Sequence, residues 1–330
     1  MEFNFSEELD PVTYRDDGLA HGIPLRIHKD PFKEIAGAIR AQKDWSYHVS
    51  PVSDYLGGLG QPFSFIRVTI PECLPERLEV MSYANEYAFL YDDQMENLDL
   101  KNFQEGRDDM LHVFGADALN HAVTADVRPE KKLQAHMLEE MMAIDHTRAV
   151  VTMQAWAKFV QLASRTRAAP FETLDEYVPS RTIDAGELFW FGMLTFGMAL
   201  TIPDSELDLC MQLARPGYAA ISLSNDLYSW RKERKDAEAA GQDYVFNAIW
   251  VIMRERKCSE AEAMLVCKDE IKKYIAEYDK VVKRAKDMSL SKDTLAYLEA
   301  VRLSHVGNLV WSIYCPRYHQ GSEIGEVPRL

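Results

Sequence analysis

The sequence predicts an all-α fold, a single bundle of long helices, on three observations. Beyond Pro75 the apolar residues recur at three- and four-residue spacing through long segments, which is the period of an amphipathic helix. No run of strict alternation, the mark of a half-buried strand, persists to the end of the chain. Short polar breaks separate the long segments, and several of them carry helix-start chemistry.

Taken in order, residues 1–75 hold a disproportionate share of the proline and glycine, including Pro11, Pro24, Pro31, Pro51, Pro62, Pro71, Pro75 and the run Gly57-Gly58-Leu59-Gly60. That composition reads as a segment wrapping the same domain, with short helices such as one over Pro31–Ser46. Residues 76–320 form the helical core, whose first helix runs over 76–97. Thr173-Leu174-Asp175-Glu176 and Ser259-Glu260-Ala261-Glu262 read as capping boxes, in which hydroxyl and carboxylate each satisfy an orphan backbone N–H. Pro203-Asp204 opens another helix. After Pro316 the pattern fades, and residues 321–330 read as the start of a linker or tail. Solenoid periods and low-complexity tracts are absent from the sequence.

Composition then narrows the function. A chain of 330 residues, 47% hydrophobic and 11% aromatic, buries a large core. With 37 basic against 52 acidic residues, a net charge of -15, it lacks the basic face that a nucleic-acid partner needs. An anionic substrate would require metal ions to neutralise it. Cys73, Cys210, Cys258, Cys267 and Cys315 are odd in number and far apart, so they form neither a disulfide framework nor a CxxC metal site, and a reducing compartment fits them. The N-terminus lacks a basic region followed by an apolar run, and nowhere is there an apolar stretch of about 18 residues. The expectation is a soluble cytoplasmic protein without membrane insertion; homo-oligomerisation stays open.

Two clusters of oxygen donors stand out. Asp92-Asp93-Gln94-Met95-Glu96 ends the helix over 76–97, and helical spacing sets Asn85, Phe89, Asp92 and Glu96 along one stripe. Carboxylates so spaced suit Mg²⁺, which takes one or two protein oxygens and completes its shell with water and phosphate oxygens. A solvated acidic helix end has the same look. Further on, Asn225, Ser229 and Glu233 place an amide, a hydroxyl and a carboxylate at i, i+4 and i+8, one face of one helix. Singly they could be a cap, a back-bonded hydroxyl and an ion-pair partner; together they read as a metal site. Gly57-Gly58-Leu59-Gly60 lacks the strand-then-helix context of a nucleotide loop, and Asp16-Asp17 and Asp108-Asp109 read as turns or caps.

Asp92-Asp93-x-x-Glu96 with Asn225-x-x-x-Ser229-x-x-x-Glu233 resembles the paired motifs of class I terpene cyclases. Over nearly the whole chain, including Ile39–Trp45, Pro71–Glu79 and Cys315–Tyr318, the sequence is similar to the N-terminal cyclase domain of fungal bifunctional terpene synthases. The resemblance implies the class I terpenoid synthase bundle and three Mg²⁺ ions held with diphosphate. Asp92, with Asp93 and Glu96 beside it, would serve two of them, and Asn225, Ser229 and Glu233 the third. It implies Lys232, Arg317 and Tyr318 as diphosphate contacts, Arg181 as diphosphate sensor, Asp184 as linker, and Ala185-Gly186 as a helix break whose carbonyl faces the substrate. Glu96, where many relatives have Asp, departs from the pattern, and its longer side chain would reach metal through water.

The implied reaction is ionisation of a prenyl diphosphate and cyclisation of the cation. Such a cation tolerates no nucleophile or water, and aromatic faces attract it by about 0.5–2 kcal/mol each without bonding to it. Phe65, Phe89, Phe189, Trp190 and Trp311 are the candidates, with Asn85 orienting an intermediate or satisfied as a buried amide. Phe196 and Tyr87 are assigned to the core. The Phe189-Trp190-Phe191 run resembles diterpene-forming relatives, so geranylgeranyl diphosphate is the expected substrate and a fusicoccane-like 5-8-5 hydrocarbon the expected product. A sesterterpene cyclase using geranylfarnesyl diphosphate is the alternative. A prenyl-chain elongation enzyme would usually carry a second aspartate-rich motif in place of Asn225/Ser229/Glu233, and a non-catalytic helical scaffold would need neither cluster. Relatives continue into a C-terminal prenyltransferase domain, so this chain is either part of a longer protein or one lacking that partner.

Overall fold

The computed structural model describes residues 1–52, 55–96, 128–163, 166 and 170–319; the side chains of Met95 and Glu96 fall outside the description, as do Asn97 and Asp108-Asp109. Ten α-helices are described: α1 (Pro31–His48), α2 (Phe65–Thr69), α3 (Leu78–Glu96), α4 (Pro129–Ala163), α5 (Leu174–Asp184), α6 (Glu187–Gly197), α7 (Asp204–Ala239), α8 (Ala248–Arg256), α9 (Glu260–Ala285) and α10 (Lys292–Tyr314). The all-α class is what the sequence predicts. One departure is a two-stranded antiparallel ribbon, β1 (Ser6–Glu8) with β2 (Arg26–His28), in register Ser6 to His28. Three residues per strand are too few for alternation to register in a sequence.

Local chemistry sets the helix ends. Asp30 caps α1 by accepting from the Phe32 and Lys33 N–H groups, with Pro31 at the first helical position, where no N–H is needed. This helix runs to His48, two residues past the expected Ser46. Ser259 and Glu262 form a complete capping box at α9. At α5 only half of the expected box is made: Thr173 accepts from the Glu176 N–H, while the next N–H, that of Leu174, is taken by Glu255 of α8. Pro203 caps α7 as expected, and this helix continues through Pro216.

α1 packs on α3, α4 on α6, and α7 on both α9 and α10, while α2 lies against α10. The core between them is continuous and includes Phe196 and Tyr87, both buried as assigned. α4 bends at Asp145, whose backbone leaves helical geometry (φ -155, ψ 91). The Asp145 carboxylate there accepts from Arg77 and Arg148, both at 2.8 Å, and Arg77 also donates to the Phe196 carbonyl at 2.9 Å. Burial alone would raise the Asp145 carboxyl; the two guanidiniums outweigh it and hold it down at about 2. The N-terminal segment reaches the functional helices directly. Arg15 N–H donates to Tyr314 Oη on α10, and Tyr228 Oη on α7 donates to Asp17, with 3.0 and 2.9 Å respectively.

Candidate metal and diphosphate site

The polar centre of the bundle lies where α5 meets α7. Asp226 is fully buried, and three donors converge on its carboxylate: Tyr177 Oη at 2.6 Å, Arg181 Nε at 2.7 Å and the Ala248 N–H at 2.9 Å. Arg181 then spends its two remaining nitrogens on Asp184 and Asn225 Oδ1, each at 2.9 Å. Burial on its own would lower the Arg181 pKa, but Asp226 and Asp184 overcome it, so the guanidinium stays charged. Thr166 Oγ1 fixes the other Asp184 oxygen at 3.1 Å.

Asn225, Ser229 and Glu233 lie on one face of α7, as their spacing predicts. Asn225 donates to Tyr318 Oη at 2.8 Å, and Asn247 donates to Glu233 at 3.0 Å. Burial pushes the Glu233 carboxyl up and Asp226 adds to the rise, while Arg181, Asn247 and the nearby Ser229 hydroxyl offset it. Lys232, one position earlier, pairs with Asp236 at 2.9 Å along the partly exposed side of α7.

The C-terminal pair connects this centre to the first cluster. Arg317 grips Asp93 with both terminal nitrogens, Nη1 at 3.0 Å, and Nη1 also reaches the Leu56 carbonyl at 3.0 Å. A continuous chain therefore runs from Asp93 on α3 through Arg317 and Tyr318 to Asn225, Arg181 and Asp184. Asp92 is exposed on the neighbouring face of α3. The Glu96 side chain lies outside the described residues.

Below this chain sits a group of rings centred on Phe65, whose centroid is 5.5 Å from Phe89, 5.6 Å from Trp190 and 4.7 Å from Trp311. Arg317 stacks over Phe89 at 5.2 Å, and Tyr318 meets Trp311 edge-on at 5.5 Å, so polar chain and ring group share a border. Trp190 Nε1 is held by Ser304 and Trp311 Nε1 by the Gly58 carbonyl, each at 3.0 Å. Phe189 behaves differently from its neighbour Trp190. One residue along a helix turns a side chain by about 100°, and Phe189 stacks on Trp156 at 5.0 Å with Phe159 alongside. Asn85 is buried beside Phe65, and its side chain makes no hydrogen bond among the described residues.

Between α5 and α6 the chain breaks at Ala185-Gly186. Gly186 has φ 89, a left-handed conformation open to glycine at little cost, and its carbonyl takes the Trp190 N–H at 2.8 Å. Among the described residues no backbone N–H takes the Ala185 carbonyl.

The donors on α7 fit a hard divalent cation. Ser229 Oγ is buried and makes no well-formed hydrogen bond among the described residues, although the half-buried Glu233 carboxylate one turn on lies near enough to feel it. Asn225 Oδ1 retains a second lone pair beside the one Arg181 uses. Oxygen donors of this mixture match Mg²⁺ preferences. Sequence reading passed over Asp226, Tyr177 and Asn247, the buried acceptor and donors that hold the polar centre together. Asp226 was in view as Asn225's neighbour, but a lone aspartate carries no spacing signal.

Comparison with known proteins gives the family. Residues 83–277 match the family described as terpene synthase family 2, C-terminal metal binding. A bifunctional type I diterpene synthase of Aspergillus flavipes is 46% identical over 99% of the chain and 43% of its own length. Fusicoccadiene synthase of Phomopsis amygdali is 44% identical over 97% and 46%, and a bifunctional sesterterpene synthase of Aspergillus aculeatus 41% over 99% and 46%. The chain thus spans less than half the length of these curated relatives. Aristolochene synthase from Penicillium roqueforti superposes with a TM-score of 0.63 at 21% identity, covering 76% of this chain and 83% of that one. Linalool/nerolidol synthase from Streptomyces clavuligerus, solved with 2-fluorogeranyl diphosphate, gives 0.67 at 16%, covering 90% and 98%. At such low identity these two speak for the fold alone, and they agree with the helical bundle described above. No helix among the described residues is long and apolar enough to cross a membrane. With more than half of its residues matched to the family's metal-binding region and relatives over 40% identical along nearly its whole length, this chain belongs to the terpene synthase family.

Proposed function

We propose that the chain is a Mg²⁺-dependent class I diterpene cyclase that converts geranylgeranyl diphosphate to a polycyclic hydrocarbon, a fusicoccane-like 5-8-5 skeleton being the nearest candidate, and releases diphosphate. The observation that carries it is that the adjacent residues Arg317 and Tyr318 join the two clusters, Arg317 by its ion pair with Asp93 and Tyr318 by its hydrogen bond with Asn225, which in turn is held by Arg181, all bordered by the ring group around Phe65. Bound Mg²⁺, three ions in this reading, would neutralise charge developing on the leaving group. Asp92, Asp93 and Glu96 would hold metal on one side, and Asn225, Ser229 and Glu233 on the other. Arg181, Lys232, Arg317 and the Tyr318 hydroxyl would donate to the diphosphate oxygens. The C–O bond breaks with its electron pair leaving on diphosphate, alkene π electrons close the rings, and loss of a proton ends the sequence.

The aromatic side chains have a different task. Phe65, Phe89, Trp190 and Trp311 would present ring faces to the cation, Phe189 would line the side toward α4, and Asn85 would orient an intermediate. Asp184 fixes Arg181, and the unclaimed Ala185 carbonyl lies at the helix break where a developing positive charge would meet it. A sesterterpene cyclase acting on geranylfarnesyl diphosphate is the second reading, favoured by the relative of that type at 41% identity. The additional length of the relatives supports a C-terminal prenyltransferase domain in the full protein.

Incubation with C15, C20 and C25 diphosphates, with and without Mg²⁺, followed by mass spectrometry and diphosphate measurement, tests the reading. Cyclic C20 product and Mg²⁺-dependent release are expected. Exclusive turnover of the C25 substrate would overturn the substrate assignment, and chain growth on addition of isopentenyl diphosphate would overturn cyclisation itself. The metal assignment has its own measurement. Mg²⁺ with inorganic diphosphate should raise the melting temperature of the parent, and the rise should vanish in Asn225→Ala.

A further inference from the structure

Glu86 lies on α3 next to Asn85, one position off the stripe that carries the first cluster, and it is fully buried. Its carboxylate accepts from Gln42 Nε2 of α1 at 2.6 Å and from the Gly58 N–H at 2.9 Å. Tyr55 Oη donates to the Glu86 carbonyl at 3.5 Å. A Cβ at Gly57 would overlap Glu86 Oε1 and the Tyr55 ring, so the loop over residues 55–60 is seated directly on this carboxylate. Burial raises the Glu86 carboxyl to about 6, with the Gly58 N–H, Gln42 and the Arg317 charge opposing the rise.

The seated loop is what the candidate site leans on. Its Leu56 carbonyl takes Arg317 Nη1 at 3.0 Å, and its Gly58 carbonyl takes both Trp311 Nε1 at 3.0 Å and the Phe65 N–H at 2.9 Å. One loop three residues long in its working part thus fixes a guanidinium of the diphosphate end and two rings of the cation end. We infer that Glu86 is a positioning residue, clamping the 55–60 loop so that Arg317, Trp311 and Phe65 are held in one fixed arrangement during ionisation and cyclisation. The inference rests on the cyclase reading for its consequence, while the clamp is a property of the folded chain by itself.

A loosened clamp leaves ionisation possible and lets rings shift and water in, so it acts on how each cation is partitioned. Two readouts follow. Product partition is the ratio of acyclic and water-quenched products to cyclic ones per diphosphate released, and it does not depend on the amount of folded enzyme. Exchange protection of the Trp311 indole N–H, assigned in ¹⁵N-tryptophan protein by its loss in Trp311→Phe, requires no turnover. In Glu86→Ala, and independently in Gly57→Ala, which keeps the carboxylate and displaces the loop, both the off-path share and the indole exchange rate should rise by about ten-fold. Glu86→Gln should restore the parental values within about two-fold, because its amide oxygen still accepts from Gly58 and Gln42 can turn its own amide to match. Parental indole protection in folded Glu86→Ala and Gly57→Ala overturns the clamp. Loss of protection with unchanged partition overturns its role in cyclisation. A parent that releases no diphosphate from any of the three substrates sinks the cyclase reading, and the exchange measurement still decides the clamp.

Discussion

Asp226 shows how a single residue can organise a site through its neighbours. It supplies the larger of two buried counter-charges for Arg181, Asp184 being the other, and Arg181 in turn orients Asn225 and Asp184. Removing one partner of a buried pair leaves the other charge stranded, at a cost of about 3–5 kcal/mol. Asp226→Ala should therefore lose about that much stability in urea denaturation, with an unchanged dependence on urea concentration, whereas a loss under about 1 kcal/mol would mean that Arg181 finds other compensation. The contrast with its neighbours explains what a sequence reveals at this scale. Asn225, Ser229 and Glu233 were legible because their four-residue spacing sets them on one face of a single helix. Asp226 finds its partners on α5 and at Ala248, and Glu86 on α1 and a glycine loop, through tertiary approach that leaves no period behind.

Between elements the deciding quantity is how closely backbones approach. Gly307, in the middle of α10, lies so close to α2 that a Cβ there would overlap the Val68 carbonyl. Alanine would gain about 1 kcal/mol of helix propensity at such a position. Overpacking against a rigid backbone costs about 1–3 kcal/mol, and the obstacle here is a carbonyl that cannot change rotamer, so the clash wins. Gly307→Ala is expected to lower the melting temperature and to move Ser304, which bridges Trp190 and the Thr69 carbonyl; a raised melting temperature would show that α2 slides away freely. Helix starts were readable at this scale because Pro31, Pro203 and Ser259 act on backbone within three residues of themselves. The bend of α4 at Asp145 was not, since the partner of its carboxylate, Arg77, lies far upstream, and neither was the contact of Glu255, on another helix, with the first N–H of α5.

At the scale of the whole molecule, an acidic chain of net charge -15 must also bury carboxyls, and that gives its stability a defined pH dependence. Glu34 is the strongest case. It is fully buried on α1, accepts from the Arg67 N–H at 3.1 Å and leaves its other oxygen without a partner, and burial pushes its carboxyl up to about 8. A carboxyl raised in the folded state favours folding while protonated in both states. Its contribution is whole below the ordinary value of 4.5 and is lost as pH rises through about 8. Glu86 acts in the same direction up to about 6, and His305, lowered to about 4 by burial, acts oppositely by penalising the acid side. Comparing Glu34→Gln with the parent cancels these other groups. The glutamine keeps an acceptor for the Arg67 N–H and cannot ionise, so the melting temperature of the variant relative to the parent should climb steadily from pH 5 to pH 8.5 and level off above. A difference that stays flat across that interval would mean that Glu34 ionises with no burial penalty, through water or a counter-charge reaching α1.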